Sequence, residues 1–311
     1  MKRRISLVKW ATFEFKFEEI LSSTKEYDME TVSLTHHSSW FSDRKNYALE
    51  FAHLLKQFIP IFVKALLCRT IVFGTNACRI LYIPAFCNSK VILIINEIPS
   101  KFNIIDRIFL KHLSSRVYLS SVERLNHFED LFGTKFGGVV PNIPIMTDVD
   151  LNQTKYENKI IYAGLINSKR LPAEVFNTID NCGYILDLIG PVINYKLTNF
   201  KCDYLGVLTQ DMSQELQSKY RFALLSYMTD DINNDLCAPI KVYEYVNNYC
   251  VCICVNDNKG LVNYISMYPN LFVRLNDLNE YTFVLDDYIF ERNEFFREEN
   301  LILDKSVRTF F

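Results

Sequence analysis

At 311 residues the chain is longer than the roughly 250–300 residues at which a single hydrophobic core stops growing, and its 49% hydrophobic content is enough to fill two. Lys and Arg number 34 against 36 Asp and Glu, a net charge of −2, which excludes an overall field that would draw in nucleic acid or an anionic membrane. No apolar run reaches the ~18 residues of a membrane-spanning helix, and the nine glycines form no P-loop, no G-x-G-x-x-G fingerprint and no nucleophile elbow.

In chain order, Met1-Lys2-Arg3-Arg4-Ile5 leads into a strand and charged residues rather than a signal-peptide core, so a cytoplasmic location is expected. A helical stretch spans 47–67, and Arg69 to Gly74 reads as the best strand of the first half. A short helix is expected to end at Tyr82-Ile83-Pro84. Val91 to Ile95 is a continuous apolar run of the kind buried on both faces of a parallel sheet. Arg116 to Ser120 is a further strand, Ser121 is placed to cap a helix over 122–132, and Phe136 to Asn142 closes the set. Residues 143–158 hold proline, polar and charged residues without a period and read as a linker. Strands then recur near 159–164, 184–189, 202–206, 222–226, 250–255 and 271–274, with a helix at Ser213 to Tyr220. Asp286 to Phe311 has helical spacing. Strand–helix alternation of this kind predicts α/β architecture with parallel sheets.

The chemistry concentrates in the second half. Pro239 pre-sets the first turn of a helix whose next turns put Lys241 and Glu244 on one face. The buried strand Val251 to Val255 follows, and the turn Asn256 to Gly260 opens another helix. Ligands of parallel sheets sit beyond strand carboxyl ends and at helix N-termini, so Lys241, Glu244 and the loop ending at Gly260 lie where a phosphorylated ligand would bind. The nine cysteines fall mostly within apolar runs. No C-x-x-C pair and no accompanying histidine completes a zinc set, so reduced core cysteines and no metal are expected.

Lys159 to Gly164 with Asn167 to Arg170, Tyr184 to Pro191, Tyr204 to Gly206, Phe222 to Ser226 and the K-x-x-E-Y helix at 241–245 follow one another in an order that resembles the donor half of GT-B-type glycosyltransferases of bacterial surface-polysaccharide assembly. The resemblance is good over 155–266, looser over 69–146 and weak over 1–68. It implies two Rossmann-like domains facing across a cleft: an acceptor-binding domain at 1–150, a nucleotide-sugar-binding domain at 151–290, and a helical tail at 291–311 crossing back to the first. It implies a metal-independent, hexosyltransferase-like enzyme that needs no cofactor and moves a sugar from a nucleotide-diphosphate donor to a saccharide or lipid-linked saccharide hydroxyl, with peripheral contact at the inner membrane face.

The same resemblance assigns donor-binding roles to Gly164, Lys169, Arg170, Gly190, Lys241, Glu244 and Gly260. Glu244 would accept the ribose hydroxyls with charge-assisted hydrogen bonds, and the cations would stabilise the leaving diphosphate. Glu97 follows a buried strand and is the candidate base for the acceptor hydroxyl; His36, His37 and His112 are weaker candidates. Asp148-Val149-Asp150 matches the letters of a metal-binding Asp-x-Asp but has no buried strand before it. Two positions depart from the family pattern. Leu165 stands where many relatives carry arginine, and Leu236 where retaining members carry a second glutamate, so the anomeric outcome stays open. These departures are what favour the alternative of a non-catalytic GT-B-like scaffold or partner; a sugar-nucleotide epimerase is a further alternative.

Overall fold

The computed structural model describes residues 3–9, 16–23, 27–33, 59–74, 78–79, 81–99, 101–146, 149, 154–229, 231–237 and 239–310. The chain divides into two compact units: Met1–Ile145 together with Leu301–Phe311, and Met146–Asn300. Each is built on one six-stranded sheet in which every strand pair is parallel.

Unit 1 runs β1 (Arg3–Lys9), α1 (Lys16–Ser23), β2 (Tyr27–Ser33), β3 (Arg69–Phe73), α2 (Tyr82–Cys87), β4 (Val91–Ile95), α3 (Ile104–Leu113), β5 (Val117–Leu119), α4 (Val122–Phe132) and β6 (Gly138–Val139). The sheet order is β2-β1-β3-β4-β5-β6. All five residues of β4 are buried, as an apolar strand covered on both faces requires. Residues 59–67 are helical; the rest of the helix expected over 47–67 lies outside the described residues, as do His36, His37 and Asp150.

Two local readings are corrected here, and one holds. The edge strand β2 was hidden by its polar sequence, YDMETVS; an edge strand pairs on one side only and needs no apolar run. The helix expected to end at Pro84 instead starts at Tyr82 and continues to Cys87, because proline is tolerated in a first turn, where its missing N–H has no partner to lose. Ser121 does cap α4, accepting from the Arg124 amide at 3.2 Å.

Unit 2 runs β7 (Tyr156–Ala163), α5 (Ala173–Asn181), β8 (Ile185–Ile189), β9 (Cys202–Tyr204), α6 (Gln210–Gln217), β10 (Tyr220–Leu225), α7 (Ile232–Asp235), α8 (Ile240–Asn247), β11 (Val251–Cys254), α9 (Lys259–Met267) and β12 (Phe272–Arg274). Its order is β12-β11-β10-β7-β8-β9. β7 begins inside the stretch that reads as linker. The helix expected over 213–220 lies earlier, because Thr209 caps it through the Met212 amide and Tyr220 belongs to β10, where its hydroxyl donates to the buried carboxylate of Asp187.

The last helix, α10 (Leu285–Thr309), is shared. Its first part serves unit 2: Tyr288 and Phe295 are fully buried, and Glu299 accepts from the hydroxyls of Tyr243 at 2.9 Å and Tyr264 at 2.7 Å. Its end serves unit 1, where Ser306 donates to the Val139 carbonyl, Thr309 and Tyr118 share a 2.7 Å hydrogen bond and Phe310 packs edge-on against Tyr118. All nine cysteines are unpaired, with Cys250, Cys252 and Cys254 buried along β11.

Candidate functional site

From β7 the chain of unit 2 steps out to β8 and β9, then returns to the other side of β7 as β10, β11 and β12. The connections therefore diverge between the carboxyl ends of β7 and β10, and an open parallel sheet binds its ligands at such a reversal point.

Helix α8 brings its carboxylate to this end. Pro239 stands at the N-cap with extended backbone, so Ile240 rather than the proline opens the helix. Val242, Tyr245 and Val246 are buried against the sheet. The Tyr245 hydroxyl accepts from the Ala163 amide at 3.0 Å, which pins the helix to the end of β7. Burial raises the pKa of that hydroxyl far above its ordinary value, so it stays neutral. The neighbouring Glu244 has a side chain only 1% exposed, and Lys241, one turn earlier and 28% exposed, donates to its carboxylate.

The loop after β7 closes over the same end. Asn167 accepts from the amides of Lys169 at 3.1 Å and Arg170 at 2.8 Å, forming a turn. Ser226, just past β10, donates to the Arg170 carbonyl. The Arg170 guanidinium lies over the Tyr227 ring, 4.9 Å from its centre. The Tyr227 hydroxyl has its pKa raised, first by burial and also by Cys237, Tyr162 and Glu244, with Arg170 opposing. Arg170 and Glu244 thus both act on one tyrosine. Lys169 is exposed, with no ion pair among the described residues. Burial pushes the Tyr162 hydroxyl up to about 12, and it donates to the Leu165 carbonyl at 2.9 Å.

The glycines do backbone work. Gly190 has φ +130°, and a Cβ there would stand 2.0 Å from the Gly164 carbonyl oxygen, so the ends of β7 and β8 touch main chain to main chain. A Cβ on Gly260 would stand 2.1 Å from the Cys237 carbonyl oxygen, which lets α9 start against the loop before α8. Asp235 accepts from the Lys259 amide at 3.3 Å and pairs with its ammonium at 2.9 Å, so a carboxylate already faces the start of α9. Asn258 donates to the carbonyls of Tyr227 at 3.0 Å and Asn234 at 2.9 Å.

No protein-family model and no curated protein sequence matches the chain. Solved structures do. AviGT4, a glycosyltransferase involved in avilamycin A biosynthesis, superposes with a TM-score of 0.61 at 12% identity, over 99% of this chain and 97% of its own. Alr3699/HepE of Anabaena, in complex with UDP and glucose, gives 0.59 at 10% identity over 99% and 97%. An α,α-trehalose-phosphate synthase (UDP-forming) from Burkholderia vietnamiensis gives 0.58 at 10% identity over 99% of both chains.

The chain has the GT-B fold.

Within this GT-B chain, Gly164, Arg170, Lys241 and Glu244 gather at the reversal point of unit 2, with Lys169 on the loop above it. Gly190 supports the turn from β8, and Gly260 supports α9. Glu97 belongs to unit 1, exposed on the loop after β4; Ser120 and Arg124 hold that loop through the Asn96 carbonyl. His112 is exposed on α3, edge-on to Phe86. Leu236 is buried at 4%, and Asp235 beside it is engaged with α9. The sequence reading passed over Tyr162 and Tyr227 and took Asn258 only as part of the turn 256–260. A polar residue directly before the helix that opens at Lys259 was the available signal for Asn258; nothing local distinguishes the two tyrosines from ordinary core aromatics. Among the described residues no helix is long and apolar enough to cross a membrane.

Proposed function

We propose that the protein is a metal-independent glycosyltransferase that moves a sugar from a nucleoside-diphosphate donor to a hydroxyl of a saccharide or lipid-linked saccharide at the inner face of a membrane, in the assembly of a cell-surface polysaccharide. The observation that carries the reading is Glu244, an almost fully buried carboxylate beside the reversal point, with a partly exposed lysine as its partner. A carboxylate sealed at a crevice where ligands bind is poorly explained by surface solvation, and stability alone rarely favours such a burial.

Lys241 covers Glu244 in the free protein and reaches water on its other side. On donor binding it would swing to the diphosphate, freeing Glu244 to accept the two ribose hydroxyls. Arg170 and Lys169 would add positive charge where the leaving group gains negative charge. The acceptor hydroxyl oxygen then bonds to the anomeric carbon as the bond to the diphosphate breaks. The nucleoside diphosphate departs with that electron pair, and Glu97 takes the acceptor proton. A non-catalytic reading is favoured by exposed Leu165 and buried Leu236, which lack the charges of relatives.

Thermal stabilisation against uridine, guanosine, cytidine and thymidine diphosphates and their sugars separates the readings. UDP is the first ligand to try, since two of the similar structures are named as UDP-forming or UDP-bound. A ligand at 100 times its Kd stabilises by about 2.7 kcal/mol. A base-selective shift that vanishes in Glu244→Gln supports the donor site. Stabilisation without sugar transfer to any acceptor supports the non-catalytic reading, and no shift with any nucleotide sinks the site.

A further inference from the structure

Strand β8 reads Ile185-Leu186-Asp187-Leu188-Ile189, and its one charged residue is only 1% exposed. Asp187 is the register partner of Ile161 on β7 and of Asp203 on β9. Its side chain therefore shares one face of the sheet with Asp203 and with Lys159, two residues before Ile161. Lys159 places its three donors on these carboxylates, at 3.1 and 2.9 Å on Asp187 and 2.9 Å on Asp203. Burial opposes the charge of Lys159, but these hydrogen bonds raise its pKa, so it stays a cation. Tyr220 donates to the same Asp187, and burial followed by that hydrogen bond raises the pKa of its hydroxyl. A buried ion pair is weak evidence for stability, and the residues on either side of Asp187 are simply leucine.

Asp187, Lys159 and Tyr220 floor a cavity of about 510 Å³, a size within the roughly 300–1,000 Å³ of small-ligand sites. None of the residues gathered at the donor crevice lines it. Its walls are apolar: Met212 and Leu216 from α6, and Leu205 and Leu208 from the loop after β9. Tyr156 stands at the rim, edge-on to Tyr220 with ring centres 5.0 Å apart. Both Met212 and Tyr156 leave about half their surface to water. Apolar walls over a few convergent polar groups are the usual make-up of a cavity that holds a small ligand.

Donors and charge select the occupant. With Lys159 and Tyr220 engaged, what remains to be satisfied is an acceptor. Asp203 is more than half exposed and gives one carboxylate oxygen to Lys159; its other oxygen has no hydrogen bond among the described residues. Glu215 and Lys219 line the cavity too, and neither forms an ion pair among the described residues. Three carboxylates thus stand against two ammoniums, leaving one negative charge in excess. An alcohol would leave that charge unmatched, and a carboxylate would add to it. A primary ammonium brings three donors and the missing positive charge. A methylene chain behind it suits walls of leucine and adaptable methionine, and the Tyr156 ring offers a face to the cation. We propose that this cavity is a binding site for a primary aliphatic amine, with the ammonium on Asp203 and the chain along Leu205, Leu208, Met212 and Leu216. The site goes beyond the glycosyltransferase reading and stands or falls independently of it.

The test titrates the full chain with n-hexylammonium and follows the ligand by NMR, beside n-hexanol and hexanoate as neutral and anionic chains of like length. Saturable binding of the ammonium with a Kd of about 1 mM or tighter is expected, and binding about tenfold or more weaker for the alcohol and the carboxylate. Asp203→Asn removes the charge while keeping the shape, and Met212→Lys puts a cation on the wall. Each should weaken the ammonium about tenfold or more. Both residues are more than half exposed, so thermal unfolding should stay unchanged in both variants. The proposal is overturned by the absence of saturable binding, by hexanol or hexanoate binding as tightly as the ammonium, or by undiminished binding in either variant. An amine that ignores both substitutions is held elsewhere, as on the acidic groove lined by Asp287, Glu291 and Glu298 of α10. Nucleotide stabilisation on the same samples keeps the two sites apart: its loss with amine binding intact sinks the donor site alone, and its persistence without amine binding sinks this cavity alone.

Discussion

Each unit holds a lysine–glutamate pair at its reversal point, and the two pairs differ in how they meet water. In unit 1 the order β2-β1-β3 places the reversal between β1 and β3. Lys9 ends β1 and grips Glu18 of α1 with contacts of 3.1 and 3.0 Å; both residues are buried, at 6% and 7% exposure. In unit 2 Glu244 is equally sealed, but its partner Lys241 is 28% exposed. A pair desolvated at both ends can exchange neither partner for water without a large penalty, so it holds one geometry. A pair desolvated at one end can release its lysine to solvent or to an incoming anion. The first arrangement suits a strut between strand and helix, the second a site that opens.

The largest effect tests the strut. Lys9→Met leaves Glu18 buried without its lysine and should cost about 3–5 kcal/mol in denaturant unfolding, with most of the loss recovered in Lys9→Met/Glu18→Leu. The contrast is sharpened by Lys241→Met, expected to cost only about 1–2 kcal/mol because water can take the lysine's place; a loss as large as that of Lys9→Met would make both pairs structural and break the comparison. Asp235→Asn, which weakens the link to the start of α9, should cost about 1 kcal/mol or less while leaving the nucleotide-induced shift in melting temperature intact. Loss of that shift would enlarge the site to include the α7 loop.

The smallest effect is read in pH. Burial pushes the Cys250 thiol up from 9.0 to about 11. The folded state therefore holds this proton more tightly than the unfolded chain. The resulting stability is fully present below pH 9 and is lost as pH rises toward 11. Tyr162, raised from 10.0 to about 12, loses its share between pH 10 and 12. Cys250→Ala should make the decline in melting temperature between pH 9 and 11 shallower than in the wild type; an identical decline would place the proton loss on other groups.

Strands with continuous apolar runs were legible: Val91–Ile95 appears as its sequence puts it, and the run expected over Val251 to Val255 forms Val251–Cys254, because only a strand covered on both faces accommodates such a run. The polar edge strand β2 and the start of β7 were not, since an edge strand satisfies its pattern on one side and β7 begins with three exposed residues. In the candidate site, the shared face of Lys241 and Glu244 followed from helical periodicity alone. The burial of one and the exposure of the other did not, because that depends on which loops close over the helix. Likewise, the apolar outer face of α3 is written in Ile104, Ile105 and Ile108, but which face turned outward was decided by the packing of Leu110 and Leu113 and by the grip of Arg79 on Asp106.

By itself the sequence determined what short-range physics controls: the alternation of strand and helix, the serine cap of α4, the absence of glycine-rich phosphate loops, and the spacing of the charged pair on α8. Only the tertiary structure decided the order of strands in each sheet and therefore where the reversal points fall. Strand order is settled by contacts between segments far apart in the chain. That is why the touching main chains of Gly164 and Gly190, the ring of Tyr227 under Arg170, and the contrast between a sealed and a half-open ion pair emerge from the fold and from no local run of residues.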